Sequence, residues 1–162
     1  MTITVRAAVR AEDHRRELND MALAIQVTFD AADPAELAGF WKRVLDYIEE
    51  PPPEGWNSWE DWAREQGIPE EQWNDQSAIV DPDGSGPRVY FQRVPEAKAG
   101  KNRVHLDVRS APGLEDDARR VRLNERAEQL VALGAARLYE MDERGAFWVT
   151  MQDPEGNEFC LD

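Results

Sequence analysis

Apolar and polar positions alternate most clearly over residues 22–30. Leu23, Ile25, Val27 and Phe29 fall on one side of an extended chain, and Ala24, Gln26 and Thr28 fall on the other. That two-residue period predicts a half-buried strand. The period then changes. Asp33-Pro34 combines an N-cap residue type with a proline suited to the first helical position. Leu37, Phe40, Trp41, Val44 and Leu45 follow at spacings of three and four, which predicts a helix with one apolar face.

Residues 51–76 fit neither period. Three prolines, Pro51 to Pro53, end what precedes them, and Trp56, Trp59, Trp62 and Trp73 follow within 18 residues, four of the six tryptophans of the chain. A short helix is expected over Trp59 to Gln66, ending at Gly67. Ile79 and Val80 belong to a short strand, Asp81-Pro82-Asp83-Gly84 to a turn, and Arg88 to Val94 to another strand. From Asn102 onward the order recurs. Val104, Leu106 and Val108 alternate with His105 and Asp107, predicting a strand over 103–108. A charged helix is expected over about 114–133, with Val121, Leu130 and Leu133 among its apolar positions and Gly134 to end it. Strands are expected over 137–140, 146–151 and 158–161.

Each half therefore reads strand, helix, three strands, and each carries Asp-Pro-acid-Gly before its last strand: Asp81 to Gly84, and Asp153-Pro154-Glu155-Gly156. One such turn is common, but two at equivalent places in two βαβββ units form an internal repeat. The expected fold class is α+β, with two βαβββ modules whose curved sheets enclose a cleft. Residues 1–21 read as an N-terminal extension and 22–162 as the domain. Module one covers 22–96 with the tryptophan-rich insert 51–76, and module two covers 102–162.

Composition narrows the range of functions. A chain of 162 residues suits one domain with a sizeable core. Its net charge of -14 opposes phosphate backbones and anionic membranes, so neither nucleic acid nor a membrane is an expected partner. The single cysteine, Cys160, excludes an internal disulfide framework. The first 21 residues lack the apolar core of a signal peptide, and no apolar run reaches the roughly 18 residues of a membrane span. A cytoplasmic location is expected. No phosphate-binding glycine loop, nucleophile elbow or calcium loop is present.

Taken with the repeat, Asp33-Pro34 with Phe40-Trp41, residues 89–96 (Val-Tyr-Phe-Gln-Arg-Val-Pro-Glu), 101–108 (Lys-Asn-Arg-Val-His-Leu-Asp-Val), Leu133-Gly134-Ala135 and the closing stretch 153–161 make the chain similar to the glyoxalase/bleomycin-resistance/dioxygenase (vicinal oxygen chelate) superfamily, in particular its glyoxalase-like group. The resemblance covers about residues 22–162. It implies a small organic molecule as ligand, a homodimer, and, in metal-dependent members, a divalent cation held from the first and last strands of each module. Those positions fall here on Gln26, on Gln92 or Tyr90, on His105, and on Cys160, with Glu158 two residues earlier on the same strand face. One imidazole, neutral amides and a thiol make a poor magnesium or manganese site, so no cofactor is assigned and any cation would rest on His105 and Glu158.

Each candidate also has a plainer reading. His105 is either an acid/base group lining the cleft or a histidine satisfied by Asp107 or water; the other histidine, His14, reads as surface. Cys160 is either a small buried strand residue or a thiolate activated by His105. Gln26 and Gln92 either face a ligand or satisfy each other. Trp56, Trp59 and Trp62 either form the core of the insert or an aromatic lid over the cleft. With Thr28 and Tyr90 added from the polar strand faces, the resemblance implies either a lyase, isomerase or hydrolase using His105, or a metal-free protein that sequesters a drug-like metabolite.

Overall fold

A computed structural model describes residues 23–143 and 145–162. The predicted N-terminal extension, with His14, lies outside them. The elements are β1 (Gln26–Ala31), α1 (Pro34–Leu45), β2 (Ile48–Glu49), α2 (Trp59–Glu65), a 3-10 turn (Glu70–Gln72), β3 (Gln76–Val80), β4 (Arg88–Arg93), β5 (Asp107–Val108), α3 (Asp116–Val131), β6 (Ala136–Glu143), β7 (Ala146–Gln152) and β8 (Glu158–Leu161). They form two four-stranded mixed sheets of the same design, ordered β1-β4-β3-β2 and β5-β8-β7-β6. In each, the opening strand runs parallel to the closing one, β1 beside β4 and β5 beside β8. The α+β class and the two βαβββ modules are those of the sequence pattern.

The opening strands are shorter than their patterns predict. Leu23 and Ile25 stay 92% and 71% exposed, and β1 starts only at Gln26, where pairing with Arg88 begins. Val104 is 79% exposed and β5 keeps just two residues. Alternation alone does not make a strand where no partner runs alongside. Val121 in α3 is likewise exposed; Leu123, Ala127 and Leu130 carry that helix's buried stripe.

Helix α1 joins the two modules, and its residues explain why. Asp33 accepts the Glu36 amide at 3.1 Å, Asn74 accepts the Ala35 amide at 2.9 Å, and the carboxylate of Glu155, from module two, accepts the Ala32 and Asp33 amides at 2.8 and 3.0 Å. Of these amides, those of Asp33, Ala35 and Glu36 are donors that the start of a helix leaves without partners. At the other end, Arg126 of α3 donates to the Arg43 and Val44 carbonyls. The apolar stripe between these ends packs Phe40 and Trp41 against Phe159 of β8, with ring centroids 6.2 and 5.1 Å away. Burying a ring of that size contributes about 4–6 kcal/mol at roughly 25 cal/mol per Å². Apolar contact therefore dominates, and the caps fix the geometry.

Candidate functional site

The apolar members of each strand, such as Val27, Phe29, Val89, Phe91, Val149, Phe159 and Leu161, turn toward the helices and the core. The alternate residues line the opposite faces. In module one that face presents Gln26, Thr28 and Asp30 beside Arg88, Tyr90 and Gln92, paired residue for residue in the parallel register. In module two the register aligns Asp107, Cys160 and Thr150, with His105 two residues before Asp107.

Module one is closed upon itself. Arg88 grips the Glu50 carboxylate with Nε, at 2.7 Å, and Nη2, while its Nη1 donates to Oε1 of Gln26 at 2.7 Å. This ion pair holds the guanidinium charge firmly, raising its pKa through the Glu50 contact. The same guanidinium lies 5.0 Å from the Tyr90 ring centroid. Gln26 also donates to Thr28, at 3.2 Å, and Gln92 donates to Asp30, at 2.8 Å. The two glutamines thus do not satisfy each other; each is taken by a register neighbour. A recess of about 540 Å³ opens beside this face, with Tyr90, Gln92, Gln76 and Arg93 in its lining. A larger one, about 780 Å³, lies by the end of α1 and β2, between Lys42, Tyr47, Glu49 and Arg126.

Module two is not closed in this way. The donor atoms of His105, Asp107 and Cys160 all lie within 4.8 Å of one another. His105 Nδ1 stands 3.3 Å from an Asp107 oxygen, with both side chains solvent-accessible. The Cys160 sulfur is buried beneath them, 3.7 Å from the Thr150 hydroxyl. Burial raises the thiol pKa and the Asp107 carboxylate adds to that, against a lowering by Thr150. The group is therefore a thiol at neutral pH, not the thiolate that a Cys-His nucleophile needs. Trp148 flanks this face, half-buried opposite Met141.

Glu158 departs from its expected role. Its carboxylate accepts the Asn102 amide and pairs with Lys98, each at 3.1 Å, and these contacts outweigh burial to lower its pKa. With Cys160, not Glu158, opposite Asp107 in the register, Glu158 does not join the His105 cluster. In the insert, Trp59 donates its indole N–H to the Glu50 carbonyl at 2.7 Å and packs edge-on against Trp62, and Trp73 donates to the Ile68 carbonyl at 2.9 Å. Trp56 is half-buried in the turn after Pro53, its amide bonded to the Pro53 carbonyl. The indoles therefore bind the insert to itself and to Glu50, and through Glu50 to Arg88.

Sequence reasoning passed over Arg88, Glu50 and Thr150. Arg88 shares the strand face of Tyr90 and Gln92, so its parity was a readable signal. Glu50 offered none, because its partner is 38 positions away.

The four ligand positions of metal-dependent relatives do not fit a magnesium or manganese ion in this chain. Gln26 has its oxygen engaged by a guanidinium, β4 presents Tyr90 and an amide already paired, and Cys160 carries a thiol of raised pKa. A hard dication requires free, anionic oxygens in most of those places.

The glyoxalase-like domain family matches residues 26–161. Among solved structures, the chain is similar to a glyoxalase/bleomycin resistance/dioxygenase family enzyme from Burkholderia phytofirmans, at 13% identity over 84% of this chain and 94% of that one, with a TM-score of 0.54. It is also similar to the fosfomycin resistance protein FosX from Mesorhizobium loti, at 15% identity over 87% and 90%, TM-score 0.55. A third is a mutant FosX from Listeria monocytogenes, complexed with Mn(II) and 1S,2S-dihydroxypropylphosphonic acid, at 12% identity over 87% and 91%, TM-score 0.57. At such identities these structures speak for the fold alone. No curated protein sequence matches the chain. No helix among the described residues is long and apolar enough to cross a membrane. With its two βαβββ modules and a match spanning nearly all the described residues, the chain belongs to the glyoxalase-like domain family of the vicinal oxygen chelate superfamily.

Proposed function

We propose that this protein binds, and acts on, a small organic molecule held against the polar strand faces, with His105 of module two at the centre of the site and without the hard-cation site of metal-dependent relatives. One observation carries the reading: Gln26, Arg88 and Gln92 of the module-one face are engaged by one another, by Glu50 and by Asp30, whereas His105, Asp107 and Cys160 converge while two of the three remain open to solvent. A carboxylate 3.3 Å from Nδ1 orients the imidazole and leaves Nε2 free to exchange a proton with a bound ligand. Thr28, Tyr90 and Trp148 supply hydrogen-bonding and aromatic surface, the mixture typical of small-molecule sites. The protein is proposed to work in the cytoplasm as a homodimer.

The mutual satisfaction of Gln26, Arg88 and Glu50 also favours the second reading, a metal-free protein that sequesters a drug-like metabolite. Amide NMR spectra of the full chain, recorded while flat aromatic and α-hydroxy-carbonyl fragments are added in EDTA, test the proposal. Shifts concentrated at Thr28, Tyr90, Asp107 and Cys160, lost in His105→Ala, are expected. Shifts confined to the recess around Lys42 and Arg126 would overturn it.

A further inference from the structure

We infer that His105, Asp107 and Cys160 form a three-donor site for a borderline-soft divalent cation of the zinc class, built wholly within module two. The inference rests on the cluster being the centre of the site and gives that cluster a ligand.

Donor chemistry makes the first argument. Imidazole, carboxylate and thiolate are the three protein ligands that zinc takes, and a thiolate among them selects zinc or cobalt(II) over magnesium and manganese. Thiolate and carboxylate together neutralise a dication, which the paired amides of module one do not. The site also differs from the one the family resemblance implies. That site draws on both modules, whereas this one uses neither Gln26 nor a β4 residue and adds Asp107.

Geometry makes the second. Metal–ligand bonds of about 2.0–2.3 Å in a tetrahedron put neighbouring donors about 3.3–3.8 Å apart. His105 Nδ1 and the Asp107 oxygen are already 3.3 Å apart, and no pair in the cluster exceeds 4.8 Å. The remaining contraction is of the order of 1 Å, within reach of two exposed side chains. The backbone beneath them is fixed, because Asp107 pairs with Cys160 across the parallel strands and the Cys160 amide donates to the Leu106 carbonyl at 2.9 Å. Thr150, 3.7 Å from the sulfur, is placed to donate its hydroxyl proton to a bound thiolate, an outer contact of the kind that steadies metal ligands. Three protein donors leave one tetrahedral position for a small molecule, as in catalytic zinc sites.

The test uses the full chain, stripped with EDTA, dialysed, and titrated with cobalt(II) as a zinc surrogate. One equivalent should produce a sulfur-to-cobalt charge-transfer band in the near ultraviolet, release protons as the thiol ionises, and be displaced by zinc. Manganese(II) should bind at least tenfold more weakly than zinc. Cys160→Ser should abolish the band. His105→Ala and Asp107→Asn, both at exposed positions, should each weaken zinc binding at least tenfold, and Asp61→Asn, an acid remote in sequence from the cluster, should change nothing. Absence of the band in the folded chain, or a band that survives His105→Ala and Asp107→Asn, would overturn the inference. If Cys160→Ser fails to fold, those two variants still decide. Fragment shifts at the cluster without cobalt binding would remove the zinc site and leave the proposed function standing.

Discussion

The two modules carry the same Asp-Pro-acid-Gly turn and put it in opposite environments. In module one, Asp81 accepts the Asp83, Ser85 and Gly86 amides at 3.0, 3.1 and 2.7 Å, close to solvent, and these bonds lower its pKa. In module two, Asp153 is 3% exposed and accepts the Glu155 and Asn157 amides, the Asn157 side chain and the Trp41 indole N–H, the last at 3.0 Å. Burial there wins, and the pKa rises despite four hydrogen bonds. The turns are built alike from Asp, Pro and Gly, so the difference comes from what packs against them. Trp41, 112 residues from Asp153, turns a surface device into an internal latch. The polar strand faces diverge in the same manner, with side chains tied together in module one and left convergent in module two.

The largest blow to this asymmetry is Trp41→Ala, which removes a fully buried ring and the donor to Asp153. It is expected to cost about 3–5 kcal/mol in urea unfolding. Asp153→Ala, which leaves buried N–H groups without an acceptor, should cost about 2–3 kcal/mol. Asp81→Ala at the equivalent turn should cost clearly less; equal losses would mean that the two turns are energetically alike.

The helix cap comes next. Asp33→Ala is expected to cost about 1 kcal/mol, and Asp33→Asn exposes its pH dependence. Bonds from Asn74 and then the Glu36 amide lower the Asp33 pKa below 3.8, so its contribution is present above that value and fades as the pH falls through the lowered one. The raised pKa of Asp153 acts with the opposite sign: its contribution is complete below 3.8 and is lost as the pH climbs through the raised value. In unfolding curves, mild acidification from neutral pH should therefore widen wild type's advantage, or shrink its deficit, relative to Asp153→Asn, whereas the gap between wild type and Asp33→Asn should hold there and narrow only below pH 3.8. The smallest effect is expected for Gln92→Ala, within about 0.5 kcal/mol, because its bond to Asp30 is exposed.

These contrasts explain what could be read from the sequence. Period and punctuation sufficed for α1, where Asp33-Pro34 starts the helix and five apolar residues share a face, and for β7 and β8. They overran at Leu23, Ile25 and Val104, because alternation reports the polarity of a segment and says nothing of whether a neighbouring strand reaches it. Strand parity placed Gln26, Tyr90, His105 and Cys160 on polar faces. It was silent on whether each would be free, since that depends on Arg88 and Glu50 arriving from distant elements. Glu158 shows the same limit: its side chain belongs to Lys98 and Asn102, a pairing that no spacing in the sequence announces.

The carboxylate of Glu155, closing over the Ala32 and Asp33 amides, has a consequence for cutting the chain. Cleavage in the segment between Arg93 and Asp107 would yield one piece whose helix start keeps Asp33 and Asn74 but loses the Glu155 carboxylate, and another whose acid has nothing to grip. The Trp41 indole and Asp153 would be parted in the same stroke. Mixed together, the halves should reassociate and melt in a single transition, as complementary fragments of one cooperative unit, and neither alone should behave as a self-sufficient bead.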